Sequence, residues 1–427
     1  MALTGRAALA AAAGALLILA FRAPVMLVVV NALLLAAITA DVALAAPVRA
    51  IRLTRSGDNR VLLGERASVE LGVENPSRRT LRAVVRDAWQ PSAGAAPPHA
   101  RITVRAGAQA RLTTVLSPDR RGDKTAAAVT IRSLGPLGLA ARQGRQAAPW
   151  TVRVLPPFRS RRHLPEKLSR LRQLDGQHRA LLRGQGTEFD SLREYVVGDD
   201  VRSIDWRASA RLRDVMVRTW RPERDRRVML VLDTGRTAAG RVAGYPRLDA
   251  AMDAAQLLTA LASKAGDRVD LIAADYRVRA RVLAPSVATA LAEITDALAT
   301  LEPELTDTDW RLVVATVLAH ARRRCLVVLL TDLNPSVALV PELRALSARH
   351  ELLIGAVADP RLAELAAGRG DAASVYAAAA AEKALSERSS LTAQLTRLGA
   401  TVADAPPGRI APALADAYLS LKARGRL

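Results

Sequence analysis

Two apolar runs, split by Arg22-Ala23-Pro24, occupy most of the first 46 residues. Residues 7–21 are apolar apart from Gly14, and residues 25–40 are apolar except Asn31 and Thr39. A spanning helix takes roughly 17–25 residues. Each run is short of that, but the second extends to Ala46 if Asp41 lies at the interface. Pro24 suits the first turn of a second helix. We expect a membrane hairpin of two helices, about 7–21 and 25–46, with both ends on one side. Two other readings compete with it. One is a cleaved secretory signal, suggested by the small residues around Ala43-Leu44-Ala45, and the other is a buried hairpin in a soluble protein. Forty-five residues and two apolar runs are too many for one signal. Arg49, Arg52, Arg55, Arg60 and Arg66 follow, and charge bias places that end in the cytoplasm.

The net charge of +21 is uneven. Residues 47–150 hold 18 basic and 7 acidic residues, and 151–230 hold 19 and 11, whereas 231–427 are almost balanced at 23 and 22. A positive field next to an apolar N-terminus favours anionic lipid or nucleic acid. Aromatic residues make up 3% of the chain, too few to supply stacking platforms for single strands. A membrane surface therefore fits better, and no nucleic-acid partner is expected. Tandem arginines (Arg78-Arg79, Arg120-Arg121) fall near predicted loops, where solvated charge and contact with anionic lipid are both open. The single cysteine, Cys325, rules out a disulfide or a thiolate zinc cluster within one chain.

Between residues 47 and 156, short alternating runs (67–73, 81–87, 101–105, 110–116, 126–131, 151–155) lie between turn signals, which predicts a small β-sandwich-like domain. Pro156-Pro157 then opens a basic linker and a charge-rich segment over 157–226, with a helical pattern at 166–183. From 227 to 427 the rhythm changes. Strands are expected at 227–233, 268–274, 278–283, 325–331, 351–357 and 401–403. Helices are expected at 248–264, 287–301, 310–323, 341–349, 377–398 and 410–423. Unbroken apolar strands alternating with helices indicate an α/β fold around a mostly parallel sheet, whose ligands sit at the carboxyl ends of the strands.

Asp233 closes the first of these strands and Thr237 follows four residues on. Asp332 closes the 325–331 strand, and Thr306 and Thr308 lie on a loop between the two. Hydroxyls with two carboxylates make a hard-oxygen set suited to magnesium. Helix N-capping uses the same residue types at the same junctions, and spacing alone leaves both readings open. The chain has no GxxxxGK[ST] phosphate loop, GxSxG elbow or HExxH helix. We therefore expect no enzyme, with a magnesium-dependent hydrolase using Asp233 and Asp332 as the alternative.

Asp233-Thr-Gly-Arg-Thr237 resembles the metal-ion-dependent adhesion site of von Willebrand factor A domains, with Gly235 where a serine is usual. By that resemblance the later threonine ligand falls on Thr306 or Thr308 and the final aspartate on Asp332. Upstream, residues 184–218 (GQGTEFDSLREYVVGDDVRSIDWRASARLRDVMVR) closely resemble the signature of the bacterial family called domain of unknown function 58. The residues that carry it include Glu188, Asp190, Arg193, Glu194, Tyr195, Gly198, Asp199, Asp200, Arg202, Asp205, Trp206 and Arg211. Their interleaved charges suit bidentate Arg–carboxylate bonds, serving as a scaffold network, a partner-docking face or, least readily, a catalytic site. Trp206 and Tyr195 are expected to anchor the network on the α/β core. The resemblance implies two membrane helices, a β-rich segment and a von Willebrand A-like (Rossmann-type) domain. It also implies an inner-membrane location with the soluble domains in the cytoplasm, and a MoxR-type AAA+ ATPase as partner in maturing or assembling other proteins.

Overall fold

The computed structural model describes the backbone of residues 2–21, 23–181, 188–212, 214–221, 226–242, 244–333 and 339–426, and the side chains of all of these except 175–181, 188–190, 219–221 and 245. It divides into two compact units, Met1–Pro157 and Phe158–Leu427.

The first unit opens with β1 (Ala2–Leu3), α1 (Gly5–Phe21) and α2 (Pro24–Leu44). α2 is long and apolar enough to cross a membrane, whereas α1 is shorter. The helices approach closely at Gly14, where a Cβ would lie 2.6 Å from Val30 Cγ1. Ten strands follow: β2 (Arg52–Gly57), β3 (Arg60–Leu62), β4 (Ala67–Glu74), β5 (Leu81–Trp89), β6 (Ala95–Ala96), β7 (Ala100–Val104), β8 (Gln109–Leu116), β9 (Gly122–Leu134), β10 (Ala140–Gln146) and β11 (Thr151–Leu155). One sheet centres on β9, which pairs antiparallel with β5, β10 and β11; the other has the order β2-β4-β8-β6. Period-2 burial along β4, with Ala67, Val69, Leu71 and Val73 inward, gives each sheet one face for a shared core with Leu81, Val85 and Ile131. Asp87 ties the sheets together. It accepts from Arg55 of β2 (2.5 and 3.0 Å), Trp89 Nε1 (2.9 Å) and Thr114 Oγ1 of β8 (3.0 Å).

The second unit begins with the segment expected as a basic linker followed by a helical pattern at 166–183; the helix is present, and the stretch as a whole packs into the core rather than linking domains. Residues 159–163 form a 3-10 turn that leads into α3 (Leu164–Leu181). This segment belongs to the core: Leu171 is buried, Leu164, Leu168 and Leu174 pack beside it, and Lys167 bonds Asp416 at 2.9 and 3.0 Å. The leucines at helical spacing decide this, because an apolar stripe seeks a face to cover it.

β12 (Glu188–Glu194) and β13 (Met216–Arg221) pair as a separate ribbon, with α4 (Trp206–Leu212) between them. β14 (Arg227–Asp233), α5 (Arg236–Ala239) and the two-residue strands β15 (Arg241–Val242) and β16 (Tyr245–Pro246) come next. They lead to α6 (Arg247–Lys264), β17 (Arg268–Ala274), β18 (Val278–Val282), α7 (Ala290–Ala299), α8 (Trp310–His320) and β19 (Leu326–Leu330). The chain continues through α9 (Leu339–Ser347), β20 (Glu351–Val357), α10 (Pro360–Ala366), α11 (Ala372–Arg397), β21 (Thr401–Ala405) and α12 (Pro407–Ala423). The sheet order is β18-β17-β14-β19-β20-β21, parallel throughout except for β18 at the edge. Along β14 the side chains alternate between two cores: Val228, Leu230 and Leu232 share one with α6 and α12, and Met229 and Val231 share the other with α8, α9 and α11. Covering both faces explains the unbroken apolar strand. α10 and the first turn of α11 are additions to the sequence-based assignment, and α7 is shorter than expected.

Candidate functional site

β14 and β19 are neighbours, so Asp233 and Thr331-Asp332 come together at the carboxyl edge of the sheet. Asp233 is buried, and its two oxygens are filled by the protein. Oδ1 accepts from the Gly235 amide (2.9 Å) and Thr308 Oγ1 (2.5 Å), and Oδ2 from Thr237 Oγ1 (3.2 Å) and Thr331 Oγ1 (2.6 Å). A carboxylate offers about four lone-pair sites, and four donors occupy them. Thr308 is therefore the loop threonine that reaches Asp233. Thr306 is exposed, and its carbonyl accepts from the Arg236 amide (2.8 Å). Thr331 was not among the expected site residues. The signal for it was its place at the tip of a buried strand, directly before Asp332.

Gly235 has a packing reason as well. A Cβ there would lie 2.2 Å from Thr308 Oγ1, so a serine at this position and the present seat of Thr308 exclude each other. The neighbouring acids divide between capping and pairing. Asp309 caps α8 through the Arg311 and Leu312 amides (3.0 and 3.1 Å). Asp307 pairs with Arg236 at the exposed rim.

Asp332 departs most from expectation. Arg247 holds Oδ2 at 2.9 Å and Arg388 holds Oδ1 at 2.7 Å. Arg388 also grips Asp404 with two bonds of 2.7 Å. The second carboxylate of the presumed ligand pair is thus neutralised by two guanidinium groups.

The upstream segment forms an ion-pair network at the surface. Arg193 meets Asp199 bidentately (2.6 and 2.7 Å), and the bond from Arg193, aided by the Val196 amide, holds the Asp199 carboxyl below its usual range. Asp205 caps α4 through the Arg207 and Ala208 amides and bonds Arg218 Nε (2.8 Å), and these bonds, the Ala208 amide first, lower its pKa. Asp200 accepts from the Arg202 amide (3.0 Å). Gly198 lies in the turn before these acids, Glu194 and Arg211 are exposed, and the side chains of Glu188 and Asp190 lie outside the described set. The expected anchoring of Trp206 is corrected: its side chain is 67% exposed, and Val196, Val197, Val201, Leu212 and Val215 are exposed around it in sequence. Tyr195 is half-buried.

Residues 191–385 match the model of a family described as protein of unknown function DUF58. This stretch is a DUF58 domain. Uncharacterized proteins Rv1480 of Mycobacterium tuberculosis and Mb1516 of Mycobacterium bovis are each 31% identical over 194 residues, 45% of this chain and 61% of theirs. The chain thus spans less than two thirds of the length of these relatives. Among solved structures, the CARDB domain of the PF1109 protein from Pyrococcus furiosus aligns with 25% of this chain and 87% of its own, at 15% identity and a TM-score of 0.19. The RO (RSR) protein of Deinococcus radiodurans aligns with 31% of this chain and 27% of its own, at 16% identity and a TM-score of 0.20. At such TM-scores neither carries an argument about this chain.

The DUF58 domain contains all five expected ligands, and their fit to magnesium can be tested on their bonding. Asp233, Thr237 and Thr308 supply oxygens of the right hardness. Asp332 does not fit, because a cation there would have to displace two arginines. The unspent polar groups beside the site are also donors: Trp310 Nε1 and Arg247 Nε are buried and have no acceptor among the described residues. Donors ask for an oxygen, not for a metal ion. Among the described residues no three His, Cys, Asp or Glu side chains gather at metal-ligand spacing. Elsewhere in the domain, burial pushes the Cys325 thiol up to about 11 and the neighbouring His350 down, so this pair has neither a ready thiolate nor a ready imidazolium.

Proposed function

We propose that the chain is a membrane-anchored protein-binding module. Its DUF58 domain docks a MoxR-type AAA+ ATPase, or that ATPase's client, during assembly or maturation of other proteins. The observation that carries this reading is the exposure of Trp206 and Val197, 67% and 95%, within the segment that most resembles the family signature. A segment kept only for scaffolding would bury such groups. Exposed apolar side chains rimmed by charge suit a partner instead. Three further observations support the same reading. α2 is long enough to span a bilayer, arginines follow its end, and Asp233 lies at the carboxyl edge of a parallel sheet, the edge where ligands bind in such sheets. Because Asp332 is held by arginine, docking is expected to persist without divalent cations.

The test is co-purification from host membranes with the full chain as bait. A AAA+ ATPase retained by the native chain, in magnesium or in chelator, and lost on Trp206→Ala with Val197→Asp, supports the proposal. Equal retention by both forms, or none by either, overturns it.

A further inference from the structure

The helical hairpin is fastened to the β unit at both ends, and a buried carboxylate makes the fastening. Asp41, fully buried near the end of α2, accepts from three backbone amides of the β9–β10 turn: Leu137 (2.8 Å), Leu139 (2.7 Å) and Ala140 (2.8 Å). The turn comes so close that a Cβ on Gly135 would lie 2.1 Å from Asp41 Oδ1. Arg142 Nε donates to the Val42 carbonyl (2.7 Å) and Arg79 to that of Ala43, so two cations sit at the negative end of the α2 dipole. At the other end of the hairpin, β1 pairs with β10, and Thr4 Oγ1 donates to the Gly138 carbonyl (2.6 Å). Both chain crossings therefore lie at one end of the β unit, and that end has a fixed height relative to the helices.

Strand register shows what else is there. β9 ends at Leu134 opposite Arg82, the second residue of β5, and β7 ends at Val104 opposite Leu81. Arg6, Arg78, Arg82, Arg105 and Arg132 thus gather around the base of the hairpin, all of them exposed. No acidic residue occurs in 75–86 or in 124–165. Leu3, Leu44 and Leu137 are 69%, 55% and 54% exposed at the same level. Exposed arginines together with exposed leucines, at the foot of an apolar hairpin, match the headgroup layer of a bilayer in charge and polarity.

We infer that this end of the β unit rests on the membrane surface and binds anionic phospholipid headgroups through Arg6, Arg78, Arg82, Arg105 and Arg132, with Leu137 dipping into the interface. The inference rests on the membrane-anchor reading above. Its consequence is that Asp41 transmits the position of the anchor rigidly to the β unit.

The test begins by extracting membranes that contain the full chain with alkaline carbonate. Release of the chain overturns the anchor reading, and this inference with it. If the chain stays, it is placed in nanodiscs of equal phosphatidylglycerol and phosphatidylcholine, and the lipids that remain bound are counted by native mass spectrometry. We expect phosphatidylglycerol above its bulk share for the native chain. That excess should disappear on Arg6→Gln/Arg82→Gln/Arg132→Gln and persist on Arg66→Gln/Arg120→Gln at the opposite end. Lipid bound in bulk proportion, or equal loss in both variants, overturns the headgroup site and leaves the anchor standing. A depth-sensitive label on Leu137→Cys gives a reading that needs no arginine variant: quenching from the headgroup region is expected, and full access to aqueous quencher would overturn the inference.

Discussion

Asp41 and Asp233 are both buried, and each is satisfied by hydrogen-bond donors in place of a cation. Their donors differ. Three main-chain amides point at Asp41 and cannot turn away. Three threonine hydroxyls and one amide serve Asp233, and hydroxyls rotate to whatever acceptor is near. The first arrangement locks two chain segments together. The second gathers threonine hydroxyls from one helix start, one loop and one strand tip at the edge of the sheet. A buried carboxylate is thus a rivet or a hub according to what donates to it, although residue type and burial are the same.

The largest expected effect separates these two cases. Asp41→Ala strands one buried amide, that of Ala140, and two part-buried ones, those of Leu137 and Leu139, and a buried donor left unmade costs about 1–3 kcal/mol. We expect a loss of about 3 kcal/mol or more in denaturant unfolding of the β unit, followed by the fluorescence of Trp89 and Trp150. A loss as small as that of Asp233→Ala would erase the distinction. Next comes Asp332→Ala, which leaves Arg247 and Arg388 facing each other at a half-buried site, with Arg388 still held by Asp404. Breaking a fully buried ion pair costs about 3 kcal/mol or more, so a loss of about 2 kcal/mol is expected in thermal unfolding of the DUF58 domain. Asp233→Ala is smaller, toward the low end of about 1–3 kcal/mol by the same measurement, because its hydroxyls find other partners.

Asp87 adds a carboxylate of a third kind, paired with a cation. Burial raises its pKa, but the bonds from Arg55, Trp89 and Thr114 outweigh burial and leave it lowered. A lowered folded-state value means that the contribution of Asp87 is complete above the unfolded pKa of about 3.9 and is lost as pH falls through the folded value. Acid unfolding of the β unit should begin below about pH 4, and Asp87→Asn should flatten that limb. The smallest effect belongs to the surface: Arg193→Ala removes a bidentate but solvent-exposed pair and should leave the unfolding midpoint unchanged within error.

Much of the architecture was legible because it follows from local periodicity. The apolar hairpin, the alternation along β4 and the filled strands of the α/β sheet each state their environment residue by residue. The reading faltered where a segment's partners lie far along the chain. α3 is legible as a helical pattern at 166–183, but the face its leucines cover belongs to α6 and α12, far along the chain. Trp206 was expected as an anchor because tryptophan is usually buried, but it stands 67% exposed at the start of α4, where local pattern alone does not say which face is covered.

The candidate site divides the same way. Asp233, Thr237 and the oxygen-rich loop could be read from spacing, since strand tips next to one another in a parallel sheet deliver their ends to one edge. The state of Asp332 could not, because Arg388 lies 56 residues away and reaches it from another helix. Likewise the sequence placed Asp41 at the end of an apolar run, while its amide partners, 96 to 99 residues on, were set by the fold. Local pattern determines which side chains must be buried. Which donor meets a buried charge is decided by tertiary packing alone, because hydrogen bonds reach only about 3 Å and depend on what the fold brings within that range.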